Sequence, residues 1–197
     1  MDVERVLEAF RKNNYQVSYF ENKEEAAQYI DKEINNSTVA FGDSETLITM
    51  GLYQLLAKHN EVHDPKHGEF FKEAKDGMKT KYFITSVNGA TEDGIIVNLD
   101  GTGNRVAGTL FGHQKVYLVF GVNKIETNLD KALWRVRNVA APKNAKRHGF
   151  RTPCAVKGDK CYDCSSPDRI CNGLMIHYKK MRHEDMEVVI INENLGL

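Results

Sequence analysis

Four cysteines fall in one short stretch, CAVKGDKCYDCSSPDRIC (154–171), and the rest of the chain has none. Their spacing is C-x6-C-x2-C-x6-C, and four thiolates are the ligand count of a tetrahedral zinc site or an iron–sulfur cluster. The pattern is neither the paired C-x2-C knuckles of a zinc ribbon nor the C-x2-C-x2-C run of a bacterial ferredoxin. Turn formers at Pro153, Gly158, Asp159, Ser165, Ser166 and Pro167 would let the backbone wrap an ion without regular structure. Arg151, Lys157, Lys160 and Arg169 would stabilise thiolates, which suits metal binding and redox-active thiols alike. The expectation is a metal, zinc or an iron–sulfur cluster, on Cys154, Cys161, Cys164 and Cys171. Redox-active thiols and inert packed cysteines are the competing readings.

Three other segments carry polar groups at positions where an α/β sheet gathers ligands. GDSET (42–46) follows an apolar run and opens a helical pattern, a placement suited to an anion, although a plain helix cap explains it as well. SVNGATEDG (86–94) ends another strand pattern and supplies the carboxylates Glu92 and Asp93, one of which would serve as a general base if burial raised its pKa. A solvated turn is the bland alternative. GVNK (121–124) ends a third strand pattern with Lys124, which would neutralise an anionic substrate or, once desolvated, act as a nucleophile. Several other chemistries are excluded. GTGNR (101–105) does not match G-x-G-x-x-G and lies between two strand patterns, no G-x-x-x-x-G-K-[ST] loop occurs, and Ser44 lacks the G-x-S-x-G context. No nucleotide cofactor is expected. His59, His63 and His67 are spaced four apart, but Pro65 breaks the helix that would align them, so they read as surface histidines.

The elements that must position these groups alternate. Val3, Val6, Leu7 and Phe10 line one helix face, QVSYF (16–20) reads as a strand, residues 22–34 as a helix and TVAFG (38–42) as a buried strand. Leu47, Ile48, Leu52, Leu55 and Leu56 mark a helix from Ser44. Residues 61–65 form a weak strand pattern, 67–78 a helix and 81–87 a strand. Residues 94–101 and 104–112 flank Asp100-Gly101-Thr102-Gly103, which predicts a hairpin. KVYLVFG (115–121) is the strongest core strand, a helix is predicted over 128–141 with Pro142 closing it, and strands follow at 174–178 and 187–191. Such alternation predicts a three-layer α/β fold around a mainly parallel sheet, one domain over 1–197, with 152–172 as a cysteine-bearing insertion.

The 197 residues are 41% hydrophobic and 27% charged, as in soluble globular proteins. Lys plus Arg (27) equals Asp plus Glu (27), so no net field attracts nucleic acid or anionic lipid. MDVERVLEAF lacks the basic and apolar regions of a secretory signal and no apolar run approaches the roughly 20 residues of a membrane span, so a cytoplasmic location is expected. In that reducing setting, clustered cysteines point more to metal or redox chemistry than to structural disulfides.

Taken together, GDSETLITMGL (42–52), NGATEDGIIVNLDGTGNRVAGTLFG (88–112), GVNKIETNLDKALWRVRNVAAPKNAKRH (121–148) and TPCAVKGDKCYDCSSPDRICN (152–172) resemble the LUD (lactate utilization) domain family. The DRICN segment is similar to that of its cysteine-bearing branch, and the chain matches the stand-alone LUD subunit. The resemblance implies the fold shared by ribose-phosphate isomerase, glucosamine-phosphate deaminase and the CoA transferases. It also implies a part in oxidising lactate to pyruvate beside iron–sulfur protein partners, with a homo-oligomer as a further possibility. On this reading Ser44, Thr46, Asn88, Asn104, Arg105 and Asn123 bind a small anionic metabolite, with Glu92, Asp93 and Lys124 as the catalytic candidates. Asp43 and Glu45 depart from the less acidic glycine-serine loop of relatives. The alternatives are a non-catalytic, metal-bearing scaffold of an electron-transfer complex and a sugar-phosphate isomerase-like enzyme.

Overall fold

Helix and strand alternate from the start of the computed structural model, which describes residues 1–197. Helix α1 (Val3–Lys12) begins where the Asp2 carboxylate accepts from the Arg5 N–H, and it buries Val6, Leu7 and Phe10. β1 (Gln16–Phe20), α2 (Lys23–Glu33) and β2 (Thr38–Phe41) follow. The helical stretch after Ser44 is split into α3 (Glu45–Thr49) and α4 (Leu52–Leu56). β3 (Glu61–His63), α5 (Phe70–Gly77) and β4 (Tyr82–Thr85) complete the first half. The second half contains β5 (Gly89–Thr91), β6 (Ile96–Asp100), α6 (Asn104–Gly108), β7 (Lys115–Gly121) and β8 (Ile125–Glu126). It ends with α7 (Leu129–Arg135), α8 (Ala141–Arg147), α9 (Pro153–Lys157), β9 (Gly173–His177) and β10 (Asp185–Ile191).

Six strands form one sheet in the order β1-β10-β7-β4-β2-β3, and every pairing in it is parallel. Both faces are covered, as a parallel sheet requires. Along β7, Tyr117 and Val119 enter a core with Ala26, Ile30, Leu47 and Leu52 of α2 to α4. Val116, Leu118 and Phe120 point the other way, against Val6, Leu7 and Phe10 of α1. Each such fully buried side chain contributes about 1.5–3 kcal/mol relative to exposure. A smaller sheet, β8-β5-β6-β9, adds Ala90 and Ile96 to the second core, while α7 and the turn after it close over Val97 with Ala132 and Val136. No helix is long and apolar enough to cross a membrane.

Two expectations are corrected. Residues 104–112 are not the second arm of a hairpin: 104–108 are helical, and β6 pairs antiparallel with β5 and β9 instead. The cause is Asp100, whose carboxylate accepts from the N–H groups of Thr102 and Val106 and so winds the chain into a helical turn. Nor does Pro142 end the helix after Asn128. Residues Val136–Ala140 form a π turn in which the Ala141 N–H donates to Val136 O, and the chain runs on as α8 with Pro142 in its first turn. The wider turn relieves the clash and the lost hydrogen bond that proline brings to a regular helix.

Candidate functional site

β7, β4 and β2 are neighbours at the middle of the parallel sheet, and the loops leaving their carboxyl ends meet. Gly42–Ser44 leads into α3, Ser86–Asn88 leads into β5, and Val122–Lys124 forms a single 3-10 turn. Lys124 holds the three loops together. Its Nζ donates to Thr46 Oγ1 (3.1 Å), Ser86 Oγ (3.0 Å) and Val87 O (3.1 Å). The side chain is 4% exposed and makes no ion pair, unlike Lys115, which sits 2.6 Å from the buried carboxylate of Glu187. Burial, with Arg135 and Arg105 nearby, pulls the Lys124 pKa down to about 7.

A cavity of about 370 Å³ opens above this amine, lined by Ser44, Asn88, Asn104, Arg105, Lys124 and Arg147 among others. Asn88 is its organiser. The Asn88 side-chain oxygen accepts from Arg105 (2.8 Å) and from the Leu99 N–H (2.7 Å), and its carbonyl accepts from Arg135 (2.6 Å). Arg105 donates a second bond from the same terminal nitrogen to Leu99 O (2.7 Å). Its remaining N–H groups make no bond within the protein and are available to a ligand. Thr46 is wholly buried under Lys124 and does not reach the lining.

The acidic loop after β2 is answered from far along the chain. Arg147, in α8, donates to Asp43 (2.7 Å) and Glu45 (2.6 Å), so both carboxylates are engaged within the protein. We expect Arg147→Ala to cost about 1 kcal/mol, the upper end for a partly exposed pair. Urea unfolding checks this, and 0.5 M salt should shrink the difference.

Glu92 and Asp93 lie elsewhere. Glu92 pairs with Arg5 of α1. Asp93 is exposed, accepts from Thr91 Oγ1, and gives its carbonyl to the Asn13 side chain (3.0 Å). Their turn packs on α1, so neither carboxylate reaches the cavity and neither can serve there as general base. Asn123 also turns away, accepting from the Leu195 N–H (3.0 Å) and thereby anchoring the segment whose Leu197 lines the cavity.

The cysteine segment sits between α8 and β9, and after α9 it has no helix or strand until β9. All four thiols are free and half-buried. Cys154 Sγ bonds Thr152 Oγ1, Cys161 Sγ accepts from the Asp163 N–H, and Arg169 ties the carbonyls of Cys164 and Cys171 together. No group of three or more His, Cys, Asp or Glu side chains is gathered as metal ligands. The donor set therefore matches zinc or an iron–sulfur cluster in number and chemistry but not in placement. Burial holds the Cys171 thiol above its ordinary pKa, with Arg169 opposing. His59, His63 and His67 pair separately with Asp31, Glu73 and Asp64 and share no site.

A sequence profile of the LUD domain matches residues 3–191, nearly the whole chain. The chain belongs to the LUD domain family. The fold of this LUD protein is similar to that of a DUF162 family protein from Deinococcus radiodurans, known from its crystal structure. The two share 11% identity over 96% of this chain and 95% of that one, with a TM-score of 0.55. No match is found among curated proteins. In the LUD chain, Ser86 and Arg147 of the cavity lining, and Arg135 on the Asn88 carbonyl, are not among the residues singled out from the sequence. Nothing in their spacing marks them, and Arg147 meets Asp43 only because α8 continues past Pro142.

Proposed function

We propose that this chain supports the oxidation of lactate to pyruvate by binding a small 2-hydroxy or 2-oxo acid in the cavity over Lys124. Membership of the LUD domain family supports a role related to lactate utilization. The observation that carries the reading is the presence in one cavity lining of Arg105, with unspent N–H groups, and Lys124, with no carboxylate partner. A carboxylate is the small ligand that such a pair would select. Ser44, Asn88 and Asn104 would supply the neutral hydrogen bonds that fix its orientation. Lactate oxidation passes its electrons to an acceptor, and the proposal gives that task to iron–sulfur protein partners.

Calorimetric titration with lactate, pyruvate and a sugar phosphate tests the reading. Binding of the two small acids is expected, and Arg105→Met should weaken it by about tenfold to a hundredfold, the worth of one charge-assisted hydrogen bond. Absence of binding at millimolar lactate and pyruvate sinks it. Tight binding and isomerisation of the sugar phosphate would move the chain to isomerase chemistry. A zinc or iron–sulfur centre at the four cysteines would require the 158–172 loop to draw the thiols together. Anaerobic metal analysis with a visible spectrum decides whether the loop does so, and metal-free, colourless protein shows that it does not.

A further inference from the structure

The amine of Lys124 is placed as a nucleophile as well as a charge. Within the same protein, Lys115 shows what a structural lysine looks like: its ammonium meets Glu187 at 2.6 Å and gains a carboxylate. Lys124 is more deeply buried and has two hydroxyls and one carbonyl instead. That set satisfies the neutral amine as well as the ammonium. Val87 O and one hydroxyl accept the two amine N–H groups, and the other hydroxyl, as a rotor, gives up the lone pair when a ligand arrives. Ser86 Oγ also lies 3.3 Å from Thr46 Oγ1, so a proton has a path between the two hydroxyls beside the amine.

The charged groups facing Lys124 come from two elements, Arg105 of α6 and Arg135 of α7, and both favour the neutral form. The carboxylates at the mouth, Asp43 and Glu45, are engaged by Arg147, and Asp100 is held by the backbone of α6. On the remaining side the backbone passes close by at Gly196. A Cβ there would stand 3.0 Å from Nζ and 2.5 Å from Thr46 Oγ1, and the residue's φ of +68° also suits glycine. The amine thus lines the cavity with Gly196, Thr46, Ser86 and Val87 packed round it.

We infer that Lys124 captures the carbonyl carbon of a 2-oxo acid as a Schiff base, with Arg105 holding the acid's carboxylate. The inference rests on the reading that this cavity takes a small 2-hydroxy or 2-oxo acid. In the step, the nitrogen lone pair forms a bond to C2 and the carbonyl π pair moves to oxygen. That oxygen takes a proton from the Ser86 or Thr46 hydroxyl, which regains one from the attacking nitrogen. The carbinolamine then loses water, so amine and ketone become imine and water with no oxidant or reductant consumed. A 2-hydroxy acid has no ketone at C2 and cannot enter this step. The site thus distinguishes the oxidised acid from the reduced one by chemistry rather than by fit.

The test is reductive trapping of the full-length protein. Incubated with pyruvate and sodium borohydride, then digested and mapped by mass spectrometry, Lys124 should carry one reduced pyruvate per chain. Lactate under the same conditions should leave no label, and Lys124→Arg should take none from pyruvate. Because the amine titrates about pH 7, labelling should be about tenfold faster at pH 8 than at pH 6, following the neutral fraction. Pyruvate binding by calorimetry without a label at Lys124 would overturn the inference and leave the binding site standing. Neither binding nor label would overturn both. Label spread over exposed lysines, with Lys124 unmodified, would likewise overturn the inference.

Discussion

Unfolding free energies of the wild-type protein and of Lys124→Met should diverge by about 2–3 kcal/mol between pH 6 and pH 9, in favour of the wild type as pH rises. An unfolded lysine titrates near 10.4, whereas burial brings Lys124 in the folded protein down to about 7. Below pH 7 both states carry the charge, and the folded state bears the whole cost of burying it. Between about 7 and 10.4 the unfolded chain holds the proton more often than the folded one, so stability rises with pH across that window. Methionine fills similar volume and does not titrate, and every other group cancels in the comparison. Urea unfolding of both proteins at the two pH values gives the answer. A difference that does not change with pH would show that Lys124 keeps its proton throughout.

Gly121→Ala should destabilise the protein by about 3 kcal/mol, the upper range for overpacking. Gly121 ends β7 at ordinary extended dihedrals, so alanine suits the backbone and only space is at issue. A Cβ there would stand 2.2 Å from Glu193 O and 2.8 Å from the Leu195 N, both backbone atoms that cannot swing aside, and 2.6 Å from Asn123 Oδ1. The strain falls on the segment after β10 that borders the cavity. Thermal unfolding should therefore fall with acid binding, and a variant with wild-type stability would show that this segment does not hold the position described.

The parallel sheet was legible because buried strands such as KVYLVFG and EVVII announce themselves through β-branched and aromatic runs ended by glycine or polar residues. The same runs point to the strand ends, and the structure brings Ser44, Asn88 and Lys124 from those ends into one cavity, where Asn104 and Arg105, singled out by the family resemblance, join them from the start of α6. Glu92 and Asp93 misled for a physical reason. A carboxylate pair in a strand-end loop looks the same whether the loop turns inward or is claimed by a helix from elsewhere, and here Arg5 and Asn13 of the amino-terminal segment claim it. The NRVAG segment has strand-like composition, yet one side chain, Asp100, supplies enough local hydrogen bonds to wind it into a helix. The cysteines were countable but not placeable, since a loop without regular structure gives spacing no fixed translation into distance.

Leu197 forms part of the cavity wall. Anything joined to it, whether further polypeptide or an affinity handle, therefore starts from the cavity wall. A purification tag at that end would begin beside the cavity, so a loss of affinity in a tagged protein would not by itself implicate Arg105 or Lys124. The same tag placed before Met1 would start from α1, on the side held by Glu92. Handle position is thus a variable to control before any negative binding result is read as chemistry.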